Sequence, residues 1–143
     1  MNRTASLVAV FIGAMLGVAA RSHGIEVSVV TLPVAADAPS ITHVPVTRVR
    51  SGEDFVVEAR VSGTRPIARV MIAYHAGDRF GGVPLQRTDS GVYRARVSAA
   101  RLGRTSQFRY IIFATDEGGR ASTWPPAPSR AGEPPGQLVT VSD

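Results

Sequence analysis

In a chain of 143 residues without cysteine, chemistry must come from histidine, carboxylate, hydroxyl or guanidinium groups. The histidines are His23, His43 and His75, and none forms a ligand-spaced pair. A copper or zinc site would need His43 and His75 joined by carboxylates from elsewhere in the chain. The other reading of His43 is a turn cap or a bond to a nearby backbone carbonyl. Asp78, Asp116 and Glu117 would offer oxygen ligands to calcium if the fold made them neighbours. No D-x-D-x-D-G loop occurs, however, and Asp116 suits the first position of a turn. No serine sits in G-x-S-x-G, no carboxylate pair for glycoside hydrolysis stands out, and Gly77, Gly81 and Gly82 do not open a helix as phosphate loops do. The residues therefore point to a non-catalytic protein without a cofactor.

All 16 basic residues are arginine, against 11 acids, for a formal charge of +5. Arginine forks suit phosphate and carboxylate, although scattered arginine also follows from codon usage alone. Such a chain is drawn weakly to acidic glycans or lipid headgroups. It lacks the interleaved basic and aromatic residues of a nucleic-acid surface, so no nucleic-acid partner is expected.

The elements that must position these groups are strands. Phe108–Gly119 (FRYIIFATDEGG) places Phe108, Tyr110, Ile112 and Ala114 on one side of an extended backbone. Arg109, Ile111, Phe113 and Thr115 fall on the other. Both sides are largely apolar, as in a central strand, and Asp116 to Gly119 closes the run in a turn. Ile67–His75 reads as a second central strand, with Ala68, Val70, Ile72 and Tyr74 in one row and Arg69, Met71 and Ala73 in the other. Asp54–Ser62 and Val92–Val97 alternate cleanly, turning Glu58, Arg60, Arg94 and Arg96 to solvent. Pro45 confines Thr42–Val49 to an edge or a bulge, because proline cannot donate to a ladder. Gly77–Gly82 reads as a loop, Val83–Thr88 as a short edge strand, and Arg120–Trp124 with Gln137–Val141 as one strand interrupted by a proline-rich excursion.

About seven short strands separated by turns, with no helical periodicity after residue 20, predict an all-β, immunoglobulin-like antiparallel sandwich. Ahead of it, Met1-Asn2-Arg3, the apolar run Leu7–Ala20 and the small residues Val18-Ala19-Ala20 have the layout of a secretory signal peptide. The apolar run is shorter than the roughly 20 residues a membrane span needs. The expected organisation is a signal peptide over 1–20, a leader over 21–40 in which Ile25–Val30 could form a short strand and Thr31–Ser40 is a Pro- and Ala-rich linker, and the sandwich over 41–143. The mature protein would be periplasmic or extracellular, without a stable membrane span.

The ordered set Thr42-His43-Val44-Pro45, Gly52-Glu53, VMIAYH, Ser90-Gly91-Val92-Tyr93-Arg94-Ala95, FRYIIFATDEGG and PPGQLVTV resembles the bacterial immunoglobulin-like, fibronectin-type-III-like accessory modules of secreted proteins. The resemblance spans Ile41 to Val141 and rests on core positions and turns. It implies the fold and an accessory role, and carries no active site with it.

If the two central strands pair, their outward rows bring Met71, Ala73, Ile111 and Phe113 together, flanked by Arg69 and Arg109. Soluble proteins seldom leave such a face bare. The leading expectation is a protein partner or self-association through it; cover by 25–34 or by the proline-rich excursion is the alternative. A second expectation is an acidic glycan or other anion held by Trp124 or by Arg94 and Arg96. The third is a periplasmic metal-binding protein using His43.

Overall fold

The computed structural model describes residues 37–126, 132 and 134–143. The expected signal peptide, most of the leader and the middle of the proline-rich excursion lie outside the described residues.

The described chain is an all-β sandwich of two sheets. Its strands run β1 (Ser40–His43), β2 (Arg48–Arg50), β3 (Phe55–Ser62), β4 (Ile67–Ala76), β5 (Arg79–Pro84), β6 (Gln86–Arg87), β7 (Tyr93–Val97), β8 (Gln107–Asp116), β9 (Ala121–Trp124) and β10 (Gln137–Ser142). One helical turn, α1 (Ala99–Leu102), lies between β7 and β8. The smaller sheet has the order β1-β3-β7-β6, and the larger β2-β10-β8-β4-β5, with β9 also on β8. All pairings are antiparallel except that of β2 with β10.

Strand β8 is the axis of the larger sheet. Along one edge it pairs with β4 over nearly its whole length. Along the other it pairs first with β10 and then with β9. Strands β9 and β10 thus share one ribbon position, parted by the proline-rich segment, as the sequence led us to expect. The alternation is also as expected: Phe108, Tyr110, Ile112 and Ala114 are buried, and they meet Phe55, Val57, Ala95, Val97 and Val139 in the core between the sheets. Phe55 anchors this core, with ring centroids 5.0 Å from both Phe108 and Tyr110. Leu102, the buried residue of α1, closes one end.

Four local expectations need correction. Thr42–Val49 is not one strand: β1 lies in the smaller sheet and β2 in the larger, and the chain crosses between them through Val44–Thr47. Proline has no N–H for a ladder, so Pro45 sits where the chain leaves one sheet for the other. Pro84 marks the same event. Val83–Thr88 is split between β5 and β6, which belong to opposite sheets, and the intervening Leu85 is buried with its N–H on the Val70 carbonyl at 2.9 Å.

Residues 79–82 are strand rather than loop. Of the two glycines that suggested a loop, Gly81 is instead where a side chain lies over the backbone. Gly81 pairs with Tyr74, and a Cβ at Gly81 would fall inside the Tyr74 phenol.

Finally, Ala68 is exposed and not in the core row. A register shift between Ile67 and Arg69 bulges the strand there, so Ile67 packs against the core and Val70, Ile72, Tyr74 and Ala76 form the buried row. An extra residue reverses the in–out sense of a strand.

The organised chain also begins earlier than Ile41. Pro39 is buried, its carbonyl accepts the Ser122 hydroxyl at 2.5 Å, and Asp37 pairs with Arg120 at 2.7 Å. Arg120 is in turn held by Asp116, the buried acid that opens the β8–β9 turn. Its Oδ1 accepts the Arg120 N–H at 2.9 Å, while its Oδ2 faces the Arg120 Nε at 3.7 Å, an ion-pair distance too long for a hydrogen bond.

Candidate functional site

The sequence singled out three kinds of candidate: an outward apolar face, an arginine face with a tryptophan, and the histidines. The register decides what each can do.

The first comes together. Directly opposed residues of antiparallel strands share a face, and β4 pairs with β8 so that Met71 opposes Phe113, Ala73 opposes Ile111 and His75 opposes Arg109. These rungs continue into the neighbouring strands. Phe113 opposes Thr123 of β9, Ala73 opposes Gly82 and Met71 opposes Pro84 of β5. Next to them runs the row Leu138–Arg109–His75–Phe80. Leu138 and Phe80 are among the exposed large hydrophobic residues of the described chain, and His75 stacks on Phe80 with ring centroids 4.0 Å apart. Met71, Ala73, Ile111 and Phe113 are half-buried.

Both flanking arginines are at the margins of this patch. Arg69, exposed, opposes Thr115 at one end; Arg109, half-buried, opposes His75 at the other. Arg109 Nη1 donates to the Gly136 carbonyl at 2.9 Å, which orients its guanidinium toward the β10 side. The sequence did not flag Phe80, His75 or Leu138 as part of this face. For Phe80 the signal was hidden by reading 77–82 as a loop; for Leu138 it was hidden by the gap between β9 and β10.

The second candidate set is dispersed. Arg94 and Arg96 lie on the outer face of the smaller sheet, where each already has a carboxylate. Arg94 opposes Glu58 across β3 and β7 and its Nε donates to Glu58 Oε1 at 2.6 Å; Arg96 lies 3.5 Å from Asp54. Both pairs are solvent-exposed and add little stability, but they match Arg94 and Arg96 with acids. Trp124 is elsewhere. It opposes Ile112 on β9 and is turned inward, with its ring 4.5 Å from His43 and 6.1 Å from Tyr110. A half-buried indole packed edge-on against an imidazole does not present a flat open platform for a sugar.

His43 and His75 fall on opposite sides of the larger sheet and do not meet. His75 is on the outer face; His43 is at its inner side, against Tyr110. Both nitrogens of His43 are engaged. Nδ1 lies 2.5 Å from the Glu58 carbonyl, which can only accept, so Nδ1 carries the proton and donates. Nε2 is then an acceptor, and Tyr110 donates its hydroxyl to it at 2.7 Å. The Tyr110 oxygen in turn accepts the Val46 N–H at 3.0 Å. The three bonds run in one direction, from Val46 through Tyr110 and His43 to Glu58, and join β1, the sheet-crossing segment and the central strand. Burial lowers the His43 pKa below its ordinary value, and the bond to the Glu58 carbonyl partly offsets it. Burial likewise raises that of Tyr110, with the Val46 bond acting against it. Burial thus favours the neutral form of His43, the form in which both of these bonds are made. The expected bond to a backbone carbonyl is present; the tyrosine partner was not anticipated.

Asp78 and Asp116 are at opposite ends of β4: Asp78 follows Ala76, and Asp116 opposes Ile67. They are not neighbours. Among the described residues, no three histidine or acidic side chains stand close enough to hold a metal ion, and no helix is long and apolar enough to cross a membrane. A cleft of about 1170 Å³ opens at one end of the sandwich, lined by Arg50, Glu53, Asp78, Arg79, Leu102 and Arg104 among others. Its cations and acids are mixed and exposed. No protein-family model matches the chain, and no curated protein matches it.

Proposed function

We propose that this protein is an exported, non-catalytic immunoglobulin-like module of the accessory type, which acts by binding another protein through the outer face of its larger sheet. One observation carries the reading: Met71, Ala73, Ile111 and Phe113 form two adjacent cross-strand rungs on that face, extended by Phe80 and Leu138. Apolar surface released from water contributes roughly 25 cal/mol per Å², so a contiguous patch on a rigid sheet favours association once its entropic cost is met. The other outer face offers no such driving force, since Arg94 and Arg96 are matched by Glu58 and Asp54.

The test is native mass measurement and crosslinking of the exported protein, repeated with Phe113→Glu. The expected result is a complex in the wild type that is lost in the variant while the circular dichroism spectrum is unchanged. A monodisperse monomer whose crosslinked partners are the same with and without the substitution overturns the proposal.

A further inference from the structure

The charges on the two outer faces differ in kind, and the difference bears on what the apolar face can bind. On the smaller sheet, Arg94 and Arg96 are matched by Glu58 and Asp54, and Arg60, opposite Thr42, is the outward strand arginine without an acid among the described residues. On the larger sheet, the outward ladder positions among the described residues carry Arg48 and Arg50 of β2, Arg69 of β4 and Arg109 of β8, and no acid. His75 adds a further basic group. The apolar rungs sit inside this arginine frame.

With strands spaced at about 4.8 Å and same-face residues at about 6.8 Å along a strand, the patch from Phe80 to Leu138 measures on the order of 300 Å². That is the size of the largest apolar patch on many monomers. Area alone therefore does not say what covers it; charge does. A second copy laid face to face offers no outward ladder acid to any arginine of the frame, whatever the relative rotation, so self-pairing leaves these guanidiniums without a carboxylate from those positions. Like charges brought together at a contact select against that partner. The patch lies on a sheet face, with Met71, Ala73, Ile111 and Phe113 half-buried and Phe80 and Leu138 exposed, which suits a matching protein surface better than insertion into lipid.

From this frame, and resting on the contact-face reading above, we infer that the natural occupant is a protein surface with an apolar centre and an acidic rim, not a second copy of this chain. Arg69 and Arg109 pair with rim carboxylates at the two ends of the patch, while Phe113, Met71 and Ile111 meet the apolar centre. Arginine is suited to this because its guanidinium accepts a carboxylate through two parallel bonds and is weakly hydrated for a cation.

The experiment uses two synthetic strand-forming peptides, one alternating leucine with glutamate and one alternating leucine with lysine, titrated into the full exported protein and followed by amide chemical shifts. The glutamate peptide is expected to shift amides of β4 and β8. Its affinity should fall at least about tenfold between ~50 mM and ~500 mM salt, and should be lost with Arg69→Glu and with Phe113→Glu. Arg69 is exposed, so its substitution leaves the core intact; Arg69→Gln serves as the neutral control with an intermediate loss. Equal binding of the lysine peptide overturns the inference. So does a wild-type dimer in sedimentation equilibrium that Phe113→Glu dissolves, or binding to phosphatidylglycerol vesicles that Arg69→Glu abolishes. Those last two results leave a contact face standing with a different occupant. No binding in any arm, with Phe113→Glu silent throughout, removes both the occupant and the face.

Discussion

Replacing Tyr110 by phenylalanine deletes one oxygen from the centre of the sandwich and leaves the ring in place. The ring keeps its contact with Phe55, at 5.0 Å, and its stacking near Trp124. What disappears is the donor to His43 Nε2 at 2.7 Å and the acceptor of the Val46 N–H at 3.0 Å. An orphaned buried polar group costs about 1–3 kcal/mol. Both groups here are only part-buried, so we take the low end for each and expect a loss of about 2 kcal/mol. For a domain of roughly 100 residues this lowers Tm by about 8 °C.

The assay is urea unfolding followed by fluorescence of Trp124, the only tryptophan, near neutral pH. The midpoint should fall with the slope m unchanged, since the same surface is exposed on unfolding. A double-mutant cycle with His43→Gln should give a coupling of about 1 kcal/mol, because the two residues share one bond. A Tyr110→Phe protein within about 0.5 kcal/mol of the wild type, or a cycle that closes at zero, refutes the directed network.

The same network sets a pH window. His43 has its pKa lowered by burial, so below about pH 6.5 the unfolded chain binds the proton that the folded one refuses. The stability His43 contributes is thus present above that pH and lost as the pH falls; melts between pH 8 and 5 should show a decline that His43→Gln flattens. Tyr110 has its pKa raised by burial, so above about pH 10 the unfolded chain releases its proton first and stability falls as the pH rises; Tyr110→Phe should remove that alkaline slope. Gly81→Ala should destabilise by about 1–3 kcal/mol, the usual cost of overpacking, because its Cβ falls within the Tyr74 ring. Combining it with Tyr74→Leu in the same melts should recover part of the loss. Asp116→Ala orphans the Arg120 N–H and frees the side chain that holds Asp37, and an N-cap-sized loss of about 1–2 kcal/mol is expected, measured by the same unfolding curves.

Much of the fold could be read from residue types because its signals are local. Phe55, Val57 and Ala59 alternate with Val56, Glu58 and Arg60 whatever lies across from them, and a period of two sends one row inward. Turns at Asp116–Gly119 and Asp89–Gly91 are equally local, since they depend on side-chain bonds to the backbone and on glycine's freedom at Gly119 and Gly91, where φ is positive. The adjacency of Met71 with Phe113 and Ala73 with Ile111 also followed from local rows once two central strands were taken to pair. Counted as ribbons, with β1 and β2, β5 and β6, and β9 and β10 each taken as one interrupted strand, the expected seven are present.

Tertiary structure alone decided the rest. Proline announces that a ladder is broken, but only the packed sheets reveal that Pro45 and Pro84 carry the chain from one to the other. The bulge at Ala68 is invisible in an alternating apolar run, since alanine fits either row. His43 could cap, ligate or pair until Tyr110, 67 residues away, supplied a hydroxyl for it. Which arginines are neutralised was equally hidden, because Arg94 differs from Arg69 only in what lies on the next strand: Glu58 in one case, Thr115 in the other. Away from a bulge such as that at Ala68, pattern along a chain fixes which way a side chain points; only the register across strands fixes what it meets there.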